Sequence, residues 1–476
     1  MPQPEYTPLP PLSAHLQALI QTGWEQEVLS QLPGGYEQQA RTMKAFVRVR
    51  GLANVGSLLR GVLAYVLCVS SLRELGAWAV LIGVANLSHV AWQKRLRQAR
   101  TWLLWLLMQR LVVTAPAPSV QQSRVLLIDA TRLKEPGGCG DDWRLHISYD
   151  LVAGRLHDIR LSDRHTAEGL TLFDVRPNDL VVADRGYCRR GQLAFVLQAK
   201  AHVLVRLAVW QVPLLDEQGQ PLDVLAWLKE CESGQHRCQV AFEHEGSRFP
   251  GRLIACSLPQ EAAERARAKE RKKASKQQRQ LKEETLYLCG WFLLFTSLPV
   301  ETWSDEQVSI LYRARWQIEL FIKRLKQLLK LAQLRGTTAL TNEATILALL
   351  VAWSLVQPEV TFARQVLSQA GEEWSTAHEE ARARAEVSKP DQPRVRSLPM
   401  TLSCWTITAL CVQTLRQEVQ GSWTFARLQV CWPFLLRFVS HRRRRPHQES
   451  TIRSHLLDRL DSPVASSFSL FGCSSA

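Results

Sequence analysis

The chain has 476 residues, of which 46% are hydrophobic and 22% charged, a composition that excludes wholesale disorder and allows about three domains. Lysine and arginine number 59 against 44 aspartates and glutamates. The formal net charge is therefore +15, which favours a polyanionic partner, nucleic acid before an anionic membrane. The 11 cysteines are odd in number and include no CxxC pair, which argues against a secreted disulfide scaffold and predicts a cytoplasmic protein.

Residues 13–118 carry apolar side chains at helical spacing and predict an all-helical domain. Two apolar runs lie within residues 58–92, but polar or charged residues interrupt both before they reach the roughly 20 residues that span a membrane. Buried helices are therefore expected, with a membrane protein as the alternative. Basic residues flank these helices, which fits either solvated helix faces or a DNA-binding module.

A Pro-x-Pro sequence at 116–118 marks a boundary, after which short apolar strands begin. The predicted elements are strands at 123–130, 145–152, 156–161 and 180–184, a helix at 192–200 and a strand at 202–207. This order predicts an α/β fold with a mixed sheet and flanking helices. Residues 208–295 are interpreted as a mostly β insertion that contains a charged helix at 261–284, and the apolar run 286–298 predicts a long strand or a strand pair.

The last third of the chain is predicted to be helical. Residues 304–334 form one long amphipathic helix in this prediction, with Ser304 as its N-cap and Gly336 just beyond its end. Residues 337–476 form a helical C-terminal region. Its run of four arginines at 442–445 fits either a phosphate contact or a solvated segment.

Two aspartates end strongly apolar runs: Asp129 follows VLLI and Asp184 follows LVVA. A charge in such a position is costly unless it is used, although a turn or cap aspartate is the ordinary alternative for each. A third carboxylate, Glu319, lies on the predicted long helix. Two strand-end aspartates and a helical glutamate would supply hard oxygen ligands, which suit two Mg²⁺ ions better than zinc.

The neighbours of Glu319 strengthen this prediction. At 100° per residue, Tyr312, Arg315, Glu319 and Lys326 fall within about 60° of arc on a helix. An exposed charged face with ordinary ion pairs is the alternative for this stripe. A two-metal site would displace a phosphodiester by activating the attacking oxygen and stabilising the leaving oxygen. With a net charge of +15, the phosphodiester is DNA or RNA.

Three motifs resemble those of the DDE transposases of bacterial insertion sequences, specifically the insertion-sequence-four group. They are IDAT around Asp129, ADRGY around Asp184, and the spacing Y-x2-R-x3-E-x6-K from Tyr312 to Lys326. The resemblance implies a ribonuclease-H-like catalytic domain at 119–336, interrupted by the mostly β insertion at about 208–295. It also implies a helical DNA-end-binding domain at 13–118 and a C-terminal region at 337–476 that is a candidate for dimerisation.

The resemblance further implies a site and a reaction. Asp129, Asp184 and Glu319 would hold two Mg²⁺ ions, which Mn²⁺ can replace. Similar enzymes hydrolyse one DNA strand, pass through a hairpin and join the 3′-OH to target DNA. The residues expected to contact DNA are Tyr312, Arg315, Lys326, Trp316, Trp291, Arg48 and Arg50. For Trp291, core packing is an equal alternative, because its segment CGWFLLF is so apolar.

The expected partners are double-stranded DNA, in the form of terminal inverted repeats and target DNA, and a second copy of the chain in a paired-end complex. The expected location is the prokaryotic cytoplasm, with the nucleoid, and no membrane is involved. Two alternatives remain open from the sequence. One is a ribonuclease-H-like nuclease without strand transfer, and the other is a DNA-binding relic whose site is inactive.

Overall fold

A computed structural model describes residues 23–113, 124–137, 142–386, 400–422 and 425–442. Contacts along the chain divide it into two compact units. The helical unit comprises Met1–Ala117, Leu133–Asp142 and Phe321–His447. The sheet unit comprises Pro118–Arg132, Trp143–Leu320 and Gln448–Ala476. The helices at the two ends of the sequence, which the sequence analysis treated as separate regions, are thus grouped in one unit by their contacts.

The described part of the helical unit begins with two short turns, Trp24–Val28 and Leu29–Gln31. Five helices follow: α1 (Tyr36–Thr42), α2 (Val55–Leu67), α3 (Leu72–Leu81), α4 (His89–Gln98) and α5 (Arg100–Val113). Side chains of Asn54, Ser71 and Ser88 cap α2, α3 and α4 by accepting backbone N–H groups, which is why these helices start where they do. Nearly all of α2 is buried, so the apolar run at its centre is a core helix.

One eight-stranded sheet organises the sheet unit, in the order β3-β2-β1-β4-β5-β8-β7-β6. The strands are β1 (Val125–Leu133), β2 (Trp143–Asp150), β3 (Arg155–Asp163), β4 (Leu180–Ala183), β5 (His202–Arg206), β6 (Gln235–His244), β7 (Ser247–Ser257) and β8 (Trp291–Thr296). β1, β4 and β5 run parallel. β2 and β3 form the predicted antiparallel hairpin, and β8, β7 and β6 continue the sheet in antiparallel fashion. The mixed α/β fold is confirmed.

Two central strands bring the candidate aspartates together. β4 is buried along its whole length, and so are the first four residues of β1, as expected for parallel strands covered on both faces. Ile128 pairs with Ala183 in the parallel register. Asp129 and Asp184 follow these two residues directly. Asp184 leaves the end of β4, whereas β1 continues past Asp129 to Leu133, so the strand predicted to end at residue 130 is longer than expected. Both aspartates therefore lie at the carboxyl edge of β4, and open α/β sheets bind their ligands at such an edge.

The segment at 208–295 differs from the prediction in two ways. The first difference is that its strands β6 and β7 extend the main sheet. The helix α6 (Arg190–Gln198) precedes the segment, between β4 and β5. The helices within the segment are α7 (Val224–Glu230), α8 (Gln260–Lys276) and α9 (Glu283–Leu288). The strand predicted at 286–298 is wrong in its first part, because α9 runs to Leu288 and β8 begins only at Trp291. A short apolar run has no period that separates a helix end from a strand.

The helix predicted at 304–334 is two helices, α10 (Asp305–Arg313) and α11 (Trp316–Leu328). Ser304 caps α10 as predicted, in a capping box with Gln307. At the junction the amides of Gln317 and Ile318 bond to the carbonyls of Ala314 and Arg315, three residues back instead of four. Neither glycine nor proline stands there, so the sequence carried no signal for this break.

The C-terminal part contains α12 (Ala339–Glu386), β9 (Met400–Leu402), α13 (Cys404–Gln420), α14 (Phe425–Val439) and β10 (Ser440–Arg442). Among the described residues, one stretch of α12, Ala339–Leu367, is long and apolar enough to cross a membrane by length and composition. However, 78% of its most apolar window is buried within the protein, which fits a core helix. Of the arginine run 442–445, all but Arg442 lies outside the described residues.

Candidate active site

Asp129 lies at the carboxyl edge of β4, and its carboxylate has a perturbed pKa. Its Oδ1 accepts the backbone N–H of Ala130 at 2.8 Å. Burial raises the pKa of Asp129 from 3.8 to about 6, and the nearby carboxylates of Asp184 and Glu319 raise it further. The Ala130 hydrogen bond and the Arg315 guanidinium act in the opposite direction. The three predicted ligands therefore share one electrostatic environment.

Asp184 begins the ADRGY turn. Its Oδ1 accepts the backbone N–H of Arg185 at 2.6 Å, and it caps the single 3₁₀ turn Arg185–Tyr187. The cap fixes the direction in which the chain leaves β4. Asp184 can therefore be both a cap and a site residue, because only one of its two carboxylate oxygens holds the turn.

Arg315 lies at the α10–α11 junction and joins the motif residues to one another. Its guanidinium donates to Oε1 of Glu319 at 2.5 Å and sits 5.8 Å from the ring centroid of Tyr312. Tyr312 is buried edge-on against Phe292, with ring centroids 5.5 Å apart. Burial raises the pKa of Tyr312 to about 12, and the Asp184 carboxylate adds to the shift. Tyr312, Arg315 and Glu319 thus meet at the same edge as the two aspartates.

Two further residues of this edge escaped the sequence analysis. Tyr187, in the ADRGY turn, is only 2% exposed, and no described residue offers its hydroxyl a hydrogen-bond partner. Burial raises the pKa of Tyr187, and the Asp129 carboxylate adds to the shift. Arg206, at the end of β5, stacks 5.6 Å from the ring of Phe292. The DRGY turn was the signal for Tyr187, whereas Arg206 had none beyond its place after an apolar strand.

Comparison with known proteins bears on this arrangement directly. Residues 121–355, which include all three carboxylates, match the family described as "Transposase DDE domain". The transposase for insertion sequence element IS421 of Escherichia coli is 37% identical over 346 residues, which are 69% of this chain and 92% of that protein. The chain belongs to the DDE transposases. InsL of element IS186A from Escherichia coli K12 is also 37% identical, over 345 residues with the same coverage.

A more distant relative is the transposase for IS231F of Bacillus thuringiensis subsp. israelensis, 23% identical over 278 residues, which are 52% of this chain and 58% of that protein. The insertion-sequence-four group fits these matches, so the resemblance seen in the sequence is confirmed. This transposase is an enzyme of DNA transposition, and its family normally uses divalent metal ions.

The residues of the transposase fit such ions by their chemistry. Among the described residues, no three His, Cys, Asp or Glu side chains are close enough to hold a metal as they stand. The carboxylates of Asp129, Asp184 and Glu319 are nevertheless hard oxygen donors, and the charges of Asp184 and Glu319 raise the pKa of Asp129. Arg315 already neutralises part of that charge through Glu319. A divalent cation would relieve the rest.

The predicted DNA contacts fall in three different settings. Trp316 is 56% exposed at the start of α11. Trp291 is 8% exposed and belongs to the core of the sheet unit, where its ring meets His236 edge-on at 6.3 Å, so the core-packing alternative describes its position. Lys326 lies seven residues beyond Glu319 on α11, half-buried and in the helical unit. Trp291 therefore belongs to the core cluster of the sheet unit.

Arg48 and Arg50 lie on an exposed loop of the helical unit between α1 and α2. Phe46 anchors this loop, since the guanidinium groups of Arg41 and Arg95 lie 5.1 and 5.8 Å from its ring. Arg95 also donates to the carbonyl of Arg48 at 3.2 Å. The loop therefore presents two arginines to solvent from a fixed base.

Proposed function

We propose that this transposase binds the terminal inverted repeats of an insertion sequence, cleaves the DNA there and joins the ends to target DNA by a cut-and-paste reaction. One observation carries the proposal. Asp129 and Asp184 lie just past the last paired residues of the parallel strands β1 and β4, and Glu319 comes to the same edge through Arg315. These are the carboxylates expected of a DDE site, in the segment that matches the family.

Asp129, Asp184 and Glu319 would hold two Mg²⁺ ions, for which Mn²⁺ can substitute. Two such ions activate the attacking oxygen and stabilise the leaving oxygen of a phosphodiester. Asp129, whose pKa is about 6, would bind an ion as the carboxylate that it already is at neutral pH, and Glu319 would share its charge between Arg315 and an ion. Arg315, once partly released, is positioned to contact a DNA phosphate.

DNA would be held from both sides of the motif. Tyr312 and Arg315 flank the carboxylates, and Lys326 would contact the backbone further along α11. The exposed indole of Trp316 would offer a stacking surface for an unpaired base. Arg48 and Arg50 would contact the repeat from the helical unit. We also propose that two copies of the chain act together on paired ends, in the cytoplasm.

The test compares isosteric variants on a labelled duplex that carries one end of the element. Asp184→Asn is expected to abolish strand cleavage while end binding stays within about twofold, because the amide keeps the turn but loses the charge. Asp174→Asn, on an exposed pair with Arg176, is the matched control and should cleave normally. Cleavage by Asp184→Asn at the wild-type rate would contradict the metal assignment, and end binding without cleavage by the wild type would favour an inactive relic.

A further inference from the structure

The charged helix α8 of the sheet unit presents one face to solvent. Its inner face is set by Ala263 and Ala274, which are 4% and 3% exposed. At 100° per residue, four exposed cations lie within about 60° of arc on the opposite side. We call them the basic stripe: Arg265, Lys269, Lys272 and Lys276. Since the helix rises 1.5 Å per residue, the stripe is about 16 Å long.

Most of the charge on the basic stripe is uncompensated. Arg265 pairs with Glu261 at 3.6 Å, one turn away. No described carboxylate lies within ion-pair distance of Lys269, Lys272 or Lys276. A face meant only for solubility usually interleaves both signs, as salt-bridged surface helices do. Here the acids lie off the stripe, apart from Glu261 at its beginning.

The register of the sheet places the start of α8 at the carboxyl edge of β4 and β5, next to Asp184. Ser257, the last residue of β7, pairs with Trp291, the first residue of β8. β8 runs antiparallel to β5, so its beginning lies beside the carboxyl end of β5. The amide of Leu258 then donates to the carbonyl of Gly290 at 2.8 Å, immediately before α8 begins. This is the edge from which Asp184 leaves β4, because Ala183 pairs with Val205.

Arginines link the helix to that edge. Arg267 donates its Nε–H to the carbonyl of Leu286 at 3.2 Å, which ties α8 to α9. Cys289 follows the last residue of α9. Burial and the Glu270 carboxylate raise the pKa of its thiol, and the charges of Arg206, Arg185 and Arg267 lower it, so all three arginines lie near this residue. Arg185 is the residue after Asp184. Arginines from the aspartate turn, from the end of β5 and from α8 thus lie near one residue at this edge, together with Glu270 of α8.

We propose that the basic stripe is a docking surface for the sugar–phosphate backbone of duplex DNA that leads away from the active site. This inference rests on the proposed function and adds a contact that the motif residues do not supply. Each strand of B-DNA carries a phosphate about every 3.4 Å of helix axis, so a stripe about 16 Å long faces about five of them. Recognition is by charge alone, without base reading. The buried Ala263 and Ala274 leave α8 no apolar face for a lipid surface.

The test uses the full chain with chelator present, so that cleavage does not interfere. Binding of a fluorescent duplex of unrelated sequence is measured by anisotropy across a range of KCl concentrations. The double variant Lys272→Gln/Lys276→Gln is expected to lower the slope of log K against log salt by about 2, and affinity by about ten- to a hundredfold. The control, Lys200→Gln/Lys229→Gln, removes two exposed lysines elsewhere in the same unit and should keep the slope.

The outcomes separate this inference from the proposed function. Equal slopes for the two double variants, both folded by circular dichroism, would overturn the role of the basic stripe while leaving the transposase assignment intact. A smaller slope for the Lys272/Lys276 pair alone would support it. A wild type that binds no duplex at any salt concentration would overturn both.

Discussion

At the scale of single residues, Asp129 holds its proton unusually tightly. Its pKa in the folded protein is about 6, against an ordinary 3.8. The folded state binds this proton more tightly than the unfolded state. The stabilisation that protonated Asp129 gives the fold is therefore fully present below about pH 4. That contribution is lost as the pH rises towards 6. At neutral pH, the metal-free protein therefore carries a buried charge that weakens its fold.

Asp129→Asn is thus expected to stabilise the protein in chelator at about pH 7.5, by on the order of 2–3 kcal/mol. The gain should shrink as the pH falls from 6 towards 4. The measurement is the free energy of unfolding by urea at several pH values. Asp163→Asn is the control of opposite sign, since hydrogen bonds from Thr166 lower the pKa of Asp163. A loss of stability in Asp129→Asn at neutral pH would contradict the account.

The two tryptophans Trp291 and Trp316 are expected to differ in their contributions to stability and to DNA binding. Trp291→Ala is expected to destabilise the sheet unit by about 3–5 kcal/mol, because it empties a core position. Trp316→Ala should change stability by less than about 0.5 kcal/mol, since its ring is exposed. If Trp316 stacks on a base, its loss should speed release of a cleaved DNA end by about five- to a hundredfold. Unfolding in urea measures the first effect and the dissociation rate of the DNA end measures the second. Faster DNA release in Trp291→Ala together with lost stability in Trp316→Ala would contradict these two assignments.

The sequence predicts the charged residues of the site better than its neutral ones. Asp129 and Asp184 stand out because each follows an apolar run in the sequence, and Glu319 because of its motif. Tyr187 does not stand out, since a tyrosine in a turn resembles core packing. No described residue offers its buried hydroxyl a hydrogen bond. The position of this hydroxyl beside the carboxylates depends on side chains that are far apart in the sequence, so only the fold shows it.

At the scale of elements, the contact between α2 and α13 offers a sharp test of the helical unit. Arg60 is 4% exposed on α2 and donates its Nε–H to the carbonyl of Val419 at 2.9 Å, near the end of α13. Arg60→Met is expected to cost about 2–4 kcal/mol, because it leaves the last carbonyls of a helix unsatisfied. The exposed Arg73→Met is the control and should cost under about 0.5 kcal/mol in urea unfolding. Equal costs would contradict this contact.

Helices and strands with a clear hydrophobic period and a clear capping or turn residue can be predicted from the sequence. Elements whose position depends on the strands or helices they pack against cannot. The β2–β3 hairpin and the cap at Ser304 follow from alternation and from a serine before a charged turn. The break at Ala314 and Arg315 has no such cue. Nor does the position of β8 between β5 and β7, since strand neighbours depend on pairings across more than 80 residues.

At the scale of the whole molecule, the sequence gives the charge and the fold class but not the grouping of the chain. The helices before Ala117 and after Phe321 form one unit, although the sheet unit separates them in sequence. Periodicity acts over a few turns of helix and carries no information about such distant contacts. The net charge of +15, by contrast, is a property of composition and already favoured a nucleic acid as partner.

The most direct test of the central claim uses DNA that spans both flanks of the gene for this protein. Wild type and Glu319→Gln are incubated with it in Mg²⁺, in Mn²⁺ and in chelator, and the cut sites are mapped. We expect paired cuts at two inverted ends, made by the wild type with either metal and lost in Glu319→Gln and in chelator. Equal cutting by Glu319→Gln, or cutting by the wild type in chelator, would contradict the assignment of Asp129, Asp184 and Glu319 as a metal-dependent transposase site.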